Sequence, residues 1–172
     1  MTEPLATALE ALRAAEKVVA AALETPEPAR LATDANTALL LRELERDEGR
    51  RRKPYRCTAD KLSIGLGRNL EDVGLSDDEI DYLALNDVAR VRADLDKNAP
   101  WWRELDPVRQ RVVQNMCFNL GWPRLAKFKD TLTAMKARRW DAAADGMLDS
   151  LWARQVGDRA KRLARMMRTG AA

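Results

Sequence analysis

The chain has no histidine, and only two of its 172 residues are cysteine. Without imidazole, a His-based nucleophilic triad and the usual zinc sites are ruled out as expectations, and no metal or other cofactor is expected. One pair of cysteines, Cys57 and Cys117, is too few for a disulfide framework in a chain this long. Both are expected as reduced thiols in a protein made in the cytosol. Aromatic residues are scarce at 5%, and five of the nine are tryptophan. No apolar run approaches the ~20 residues of a membrane-spanning helix. The acidic start lacks the basic-then-apolar pattern of a secretory leader. A chain that stays in the cytoplasm until some other agent releases it is the expectation.

Charge is plentiful, at 33% of residues, and it is uneven. Residues 1–36 hold three basic and six acidic residues, a net of −3, against +3 for the whole chain. The last 22 residues hold six basic residues and one acid, Asp158. A basic face of this kind suits a polyanion: nucleic acid, anionic lipid, lipopolysaccharide or bacterial wall. The length allows one sizeable core, and the composition is that of a folded, helix-rich globular protein.

The most informative stretch is 44–67. Leu40, Leu41 and Leu44 recur at helical spacing, and Gly49 is a natural helix stop, expected in the left-handed conformation. Glu48 then falls in the last helical turn, where the helix dipole and any burial favour a protonated acid. Tyr55–Thr58 and Leu62–Leu66 read as short strands joined by a turn at Ala59-Asp60-Lys61, which would bring Cys57 and Ser63 together. The basic run Arg50–Lys53 reads as a solvated turn. On spacing alone, Glu48 also fits a solvated charge, Cys57 a small buried residue and Ser63 a surface hydroxyl.

The order Glu48, then Cys57 nine residues on, then Ser63 six further, then Gly65 and Gly67, resembles the signature of the phage-type lysozymes, the endolysins of glycoside hydrolase family 24. In that family a Glu closes the first helix, an Asp or Cys follows and then a Thr. The resemblance implies that Glu48 is the general acid, that Cys57 holds the place of the water-activating Asp, and that Ser63 positions the water. Cys57 itself suits two roles: a thiolate that attacks the anomeric carbon, with retention, or a polar group that helps a water attack, with inversion. A free thiol near ~8.5 is mostly neutral at pH 7, so a thiolate is expected to need a cationic neighbour such as Arg56. Further blocks keep the family order: Arg68-Asn69, Gln114–Gly121, Phe128–Leu132, Arg139–Ala143, Ser150-Leu151-Trp152 and Asp158–Gly170. They imply substrate contacts at Asn69, Phe118, Asn119 and Thr131. Asn115, Arg159, Arg68 and Asp87 are implied as supporting residues, with Arg68 and Asp87 as an ion pair and Arg159 near the catalytic Glu. Some relatives carry a substrate-binding Asn at the position of Gly146, a contact that glycine lacks.

The remaining segments give local expectations. Residues 2–24 form an amphipathic helix with Leu5, Leu9, Leu12, Val19 and Leu23 on one face, ended by Thr25-Pro26-Glu27-Pro28. Its readings are a helix packed on the main body or a membrane or partner anchor. Asn36 is a candidate cap for the next helix. Ser76-Asp77-Asp78-Glu79 opens a long helix to about Lys97, with Ile80, Leu83, Val88, Val91 and Leu95 inward. Trp101 and Trp102 suit either a packed turn or stacking on sugar rings. Asp106-Pro107 starts another helix, stopped by Gly121, with Cys117 in the core.

The fold implied is α+β and lysozyme-like, with a small hairpin lobe, a larger helical lobe and the active-site cleft between them. Residues 1–35 would be a helical extension with a proline-containing linker, and 36–172 the catalytic domain. The implied activity is a lysozyme's: hydrolysis of the β-1,4 bond between N-acetylmuramic acid and N-acetylglucosamine in peptidoglycan, by a monomer, causing host lysis. The partner is peptidoglycan, with an anionic outer-membrane surface for the basic C-terminal helix and no nucleic acid. Rival readings are a virion-borne lysozyme for entry, a silent wall binder, and a basic helical module for nucleic acid.

Overall fold

The computed structural model describes residues 34–172, so the expected helix over 2–24 lies outside the described residues. Two compact units divide between Asp77 and Asp78, and each is considered by itself.

Among the described residues, the first element of the first unit is α1, Ala35–Glu48. Its cap is Asp34 and not Asn36: the Asp34 carboxylate accepts from Thr37 N at 2.9 Å and from the Thr37 hydroxyl at 2.8 Å. A three-stranded antiparallel sheet follows, β1 (Arg51–Arg56), β2 (Leu62–Gly65) and β3 (Arg68–Asn69), in the order β1-β2-β3. The basic run therefore enters a strand and not a turn. β1 starts four residues before the expected Tyr55 and ends two before Thr58. Pro54 is tolerated inside it because β1 is an edge strand, and an edge offers a side that needs no N–H donor. The ladder is irregular there: Arg51 pairs with Gly65 and Tyr55 with Ser63, four steps on β1 against two on β2. Such a bulge lets the strand bend around the proline.

The second unit is helical. It runs through α2 (Asp77–Asn98), a 3-10 turn (Pro100–Glu104), α3 (Pro107–Leu120), α4 (Trp122–Leu125), α5 (Lys129–Lys136), α6 (Trp140–Leu148), α7 (Leu151–Val156) and α8 (Asp158–Thr169). Its core gathers Leu95, Trp102, Val112, Met116, Leu125, Met135, Met147 and Met167. α3 starts as expected, with Asp106 accepting from Val108 N and Arg109 N and Pro107 in the first turn. Cys117 is a core residue, and burial pushes its thiol up to about 11. α2 departs from expectation: Leu95 is buried and Val91 packs on the core, but Ile80 and Leu83 are about half exposed. Trp102 is buried and donates from Nε1 to Asp96 at 2.8 Å, which leaves it no free face for a sugar.

Arg109 ties α8 to α3. Its guanidinium donates to Met167 O at 2.7 Å and Arg168 O at 3.0 Å, and lies 4.1 Å from the Trp140 ring centroid. It thus satisfies carbonyls that the end of α8 leaves without helical partners.

Candidate active site

Glu48 is the last residue of α1 and is exposed. Gly49 breaks the helix at φ 72° and ψ 161°. This is not the left-handed helical region expected but an extended positive-φ region that is nearly restricted to glycine. The turn between β2 and β3 comes up beside the acid. A Cβ built on Gly67, at φ +88°, would lie 3.5 Å from Oε2 of Glu48. Glycine there supplies the backbone angle and leaves the carboxylate its space. The neighbouring cations are committed elsewhere. Arg50 makes two hydrogen bonds to Glu45, at 2.6 and 3.0 Å, and Arg46 pairs with Asp47.

Cys57 follows β1 in a tight connection. Its N–H donates to Lys61 O at 3.0 Å, and its carbonyl accepts from Asp60 N at 2.9 Å, with Asp60 itself at φ 57°. The loop folds backbone N–H groups around the thiol. Donation from Lys61 N–H and Ala59 N–H, and then from the Ser63 hydroxyl, holds the Cys57 thiol below its usual 9.0. This corrects the expectation of a cationic helper. The Arg56 guanidinium is turned to Asp60 O at 2.6 Å and to Glu71 at 3.2 Å. Lys61 pairs with Asp72 at 3.1 Å. Ser63 is 2% exposed and so not a surface hydroxyl; its Oγ is 3.4 Å from Lys61 O and within reach of the thiol. The hairpin therefore brings Cys57 and Ser63 together, with a thiol lowered by its hydrogen bonds beside a buried hydroxyl.

Asn69 is absorbed by its own turn. Its Oδ1 accepts from Glu71 N and Asp72 N at 2.9 and 3.0 Å, and its Nδ2 donates to Asp72 at 2.8 Å. Arg68 donates to Gly74 O at 3.0 Å, and Asp87, in the second unit, pairs with Arg90 one turn along α2.

In the helical unit, Arg159 makes two hydrogen bonds to Asn115 Oδ1, at 2.9 and 2.7 Å. Phe118 is about half exposed on α3. Asn119 Oδ1 accepts from Trp152 Nε1 at 2.8 Å, and Phe128 meets the Trp152 ring edge-on. Thr131 is buried against Gly146, where a Cβ would come within 2.5 Å of its Oγ1. Thr131 and Gly146 thus share one space. A concave pocket of about 740 Å³ opens here, with Phe128, Thr131 and Trp152 in its lining. Its rim carries Arg124, Lys127 and Lys129, which sequence reasoning did not single out. The signal available was three cations within six residues, set around Phe128 just past a helix-stopping glycine. Among the described residues, no group of three or more His, Cys, Asp or Glu is placed to hold a metal.

The profile of the family described as phage lysozyme matches residues 45–169. Among curated relatives, the pre-baseplate central spike protein Gp5 of Enterobacteria phage T4 is 31% identical over 167 residues, covering 80% of this chain. This chain spans only 29% of that relative's length. A probable T4-type lysozyme 1 of Dictyostelium discoideum is 24% identical over 156 residues, covering 74% of this chain and 92% of the relative. A second probable T4-type lysozyme of the same organism is 30% identical over 69 residues, 40% of this chain and 41% of that one.

Proposed function

Because the chain belongs to the phage lysozyme family, we propose that it is a muramidase that cleaves the β-1,4 bond after N-acetylmuramic acid in peptidoglycan. The observation that carries this reading is the first unit's arrangement: Glu48 kept clear beside Gly67, and Cys57 and Ser63 joined across the hairpin. Residues 36–172 form the catalytic domain, and 1–35 an extension to it.

In this reading Glu48 protonates the leaving glycosidic oxygen. The Cys57 thiolate and the Ser63 hydroxyl hold a water for attack on the anomeric carbon. The thiolate accepts one of its protons, so the bond cleaves with inversion. Asn69 shapes the turn next to them, and Phe118, Asn119 and Thr131 receive sugar or peptide from the helical unit. Arg159, held by Asn115, supports the helical unit's share of the site, and Arg68 and Asp87 are supporting residues each within its own unit.

Purified Gram-negative peptidoglycan provides the test. The wild-type chain releases muropeptides with reducing N-acetylmuramic acid ends, and Glu48→Gln releases none. Equal release by the variant would remove Glu48 from the mechanism.

The biological setting proposed is lysis of the host from within, as an endolysin made in the cytoplasm and acting on the wall as a monomer. The basic face of α8 would favour an anionic outer membrane. A second setting has an observation in its favour: a relative covering 80% of this chain is a spike protein of a phage particle. Co-purification with virions would select that setting; release only with the lysate would select the first.

A further inference from the structure

The start of β2 is finished by a side chain and not by a strand. Leu62 turns its N–H and its carbonyl to the same edge, the one that faces β3. The carbonyl accepts from Leu70 N at 2.8 Å. The chain then leaves the ladder, and Val73 N closes a turn on Asn69 O at 3.2 Å. The Leu62 N–H goes to Glu71, 3.0 Å from Oε1. Glu71 takes no part in the proposed chemistry, yet its carboxylate stands in for the strand carbonyl that the turn removes.

Glu71 is itself aimed. Asn69 Oδ1 accepts from Glu71 N at 2.9 Å and from Asp72 N at 3.0 Å, and Asn69 Nδ2 donates to Asp72 at 2.8 Å. The side chain therefore leaves a backbone that is already fixed. Its Oε1 also accepts from Arg56 at 3.2 Å, but both partners of that ion pair are exposed. Exposed pairs are worth little and are screened by salt. The bond to a main-chain N–H held in a ladder is the stronger contact.

That bond has a counterpart on the other side of the same peptide. Leu62 N and Lys61 O belong to one planar unit, and Lys61 O accepts from Cys57 N at 3.0 Å. The Lys61–Leu62 peptide is thus gripped from both sides, by Cys57 N–H and by Glu71. The grip fixes Lys61, whose own N–H, with that of Ala59, donates to the Cys57 sulfur. We propose that Glu71 is a positioning residue for Cys57: its carboxylate, aimed by Asn69, holds the Lys61–Leu62 peptide so that the 57–62 turn keeps its N–H groups on the sulfur. The inference rests on the proposed role of Cys57 in hydrolysis, but it acts on the thiol and can be read there directly. Its sign is distinctive. A carboxylate acting only through its charge disfavours a nearby thiolate, so its removal would lower the thiol's titration midpoint. A carboxylate that holds the donors in place has the opposite effect.

Alkylation by iodoacetamide across pH, followed on the Cys57 peptide by mass spectrometry, measures that midpoint in the full chain. Glu71→Ala raises it by about half a unit, because the N–H donors are no longer held on the sulfur. Glu71→Gln keeps an oxygen for the Leu62 N–H and leaves the midpoint at or below that of wild type. An unmoved or lowered midpoint in Glu71→Ala overturns the positioning role, and so does an equal rise in both variants. Amide hydrogen exchange of the wild-type chain needs no variant to fold. Leu62 N–H is protected, and exchange at the rate of an open turn amide overturns the proposal.

The pH profile of wall hydrolysis separates this inference from the reading beneath it. The profile of Glu71→Ala moves with its thiol midpoint, and that of Glu71→Gln does not rise. A raised midpoint with an unmoved hydrolysis profile leaves Glu71 as the thiol's positioning residue and removes Cys57 from the proposed mechanism. An unmoved midpoint in a chain that still cleaves the wall removes Glu71 and leaves the muramidase reading standing.

Discussion

Gly146 and Thr131 form a pair whose coupling is set by geometry. Gly146 lies in the interior of α6, where alanine is favoured over glycine by about 0.5–1 kcal/mol. A Cβ there, however, would sit 2.5 Å from Thr131 Oγ1 and 3.5 Å from its Cβ. Thr131 is β-branched, helical and 6% exposed, so it has little freedom to turn aside. Overpacking of this kind costs about 1–3 kcal/mol. The expected net effect of Gly146→Ala is therefore a loss of roughly 1–2 kcal/mol. Thr131→Ala removes the obstructing oxygen. In that background, Gly146→Ala should gain up to about 1 kcal/mol from helix propensity alone. The double-mutant cycle gives a coupling of about 2 kcal/mol, well above the additivity error of distant sites. Urea unfolding of the four chains, with midpoints compared at a common slope, measures it. Gly146→Ala that is neutral or stabilising with Thr131 present would refute the shared-space argument.

Iodoacetamide at neutral pH should label Cys57 and spare Cys117. The first thiol is lowered by backbone N–H donors, and the second is buried and pushed up to about 11; peptide mapping reads the outcome. The labelled protein should lose wall hydrolysis, and full retention would remove the thiol from the mechanism. Asp96 is lowered from 3.8 to about 2, first by its hydrogen bond from Arg103 and also by that from Trp102. A depressed acid contributes stability above its unfolded value that is lost as pH falls through its folded value. The difference in Tm between wild type and Asp96→Asn should therefore be full above about pH 4 and close between about pH 4 and 2; an unchanged gap at pH 2 would contradict the assignment. Arg109→Lys should destabilise by about 1–3 kcal/mol, because a lysine cannot reproduce both carbonyl bonds and the stacking on Trp140. A thermal melt within error of wild type would show that α8 does not depend on that anchor.

Much of the helical unit was legible in the sequence, because its punctuation is local chemistry. Asp106-Pro107 starts α3 and Gly121 ends it through side-chain and backbone rules that act within a few residues. Ser150 caps α7 by the same means, its Oγ accepting from Ala153 N at 3.0 Å. Errors arose where the deciding factor was farther away. Asp34 won the cap of α1 over Asn36, a choice between two good caps that spacing does not make. The first strand was expected only from Tyr55, but it begins at Arg51 and runs through Pro54; sheet order decides whether a proline is tolerated, and β1 is at the edge. Ile80 and Leu83 showed that α2 has an apolar face. Periodicity says nothing about how far along the helix that face is covered, and burial becomes complete only at Leu95.

The environment of Cys57 shows the same limit within the site. A sequence displays side-chain charge, so a thiol that needs help ionising points to the adjacent Arg56. The fold assigns that arginine to Asp60 and Glu71 and delivers the help from main-chain N–H groups of Ala59 and Lys61, which every residue except proline carries. Such donors become visible only once the turn's dihedrals are known, Asp60 at φ 57° among them. The distinction has a functional consequence. A guanidinium is a mobile charge that salt screens, whereas N–H groups fixed by a hairpin ladder are aimed dipoles that need no reorganisation when a thiolate forms. Substituting Arg56 should thus change the turn's stability more than the thiol's reactivity, while lengthening the 57–61 turn by one residue should do the reverse.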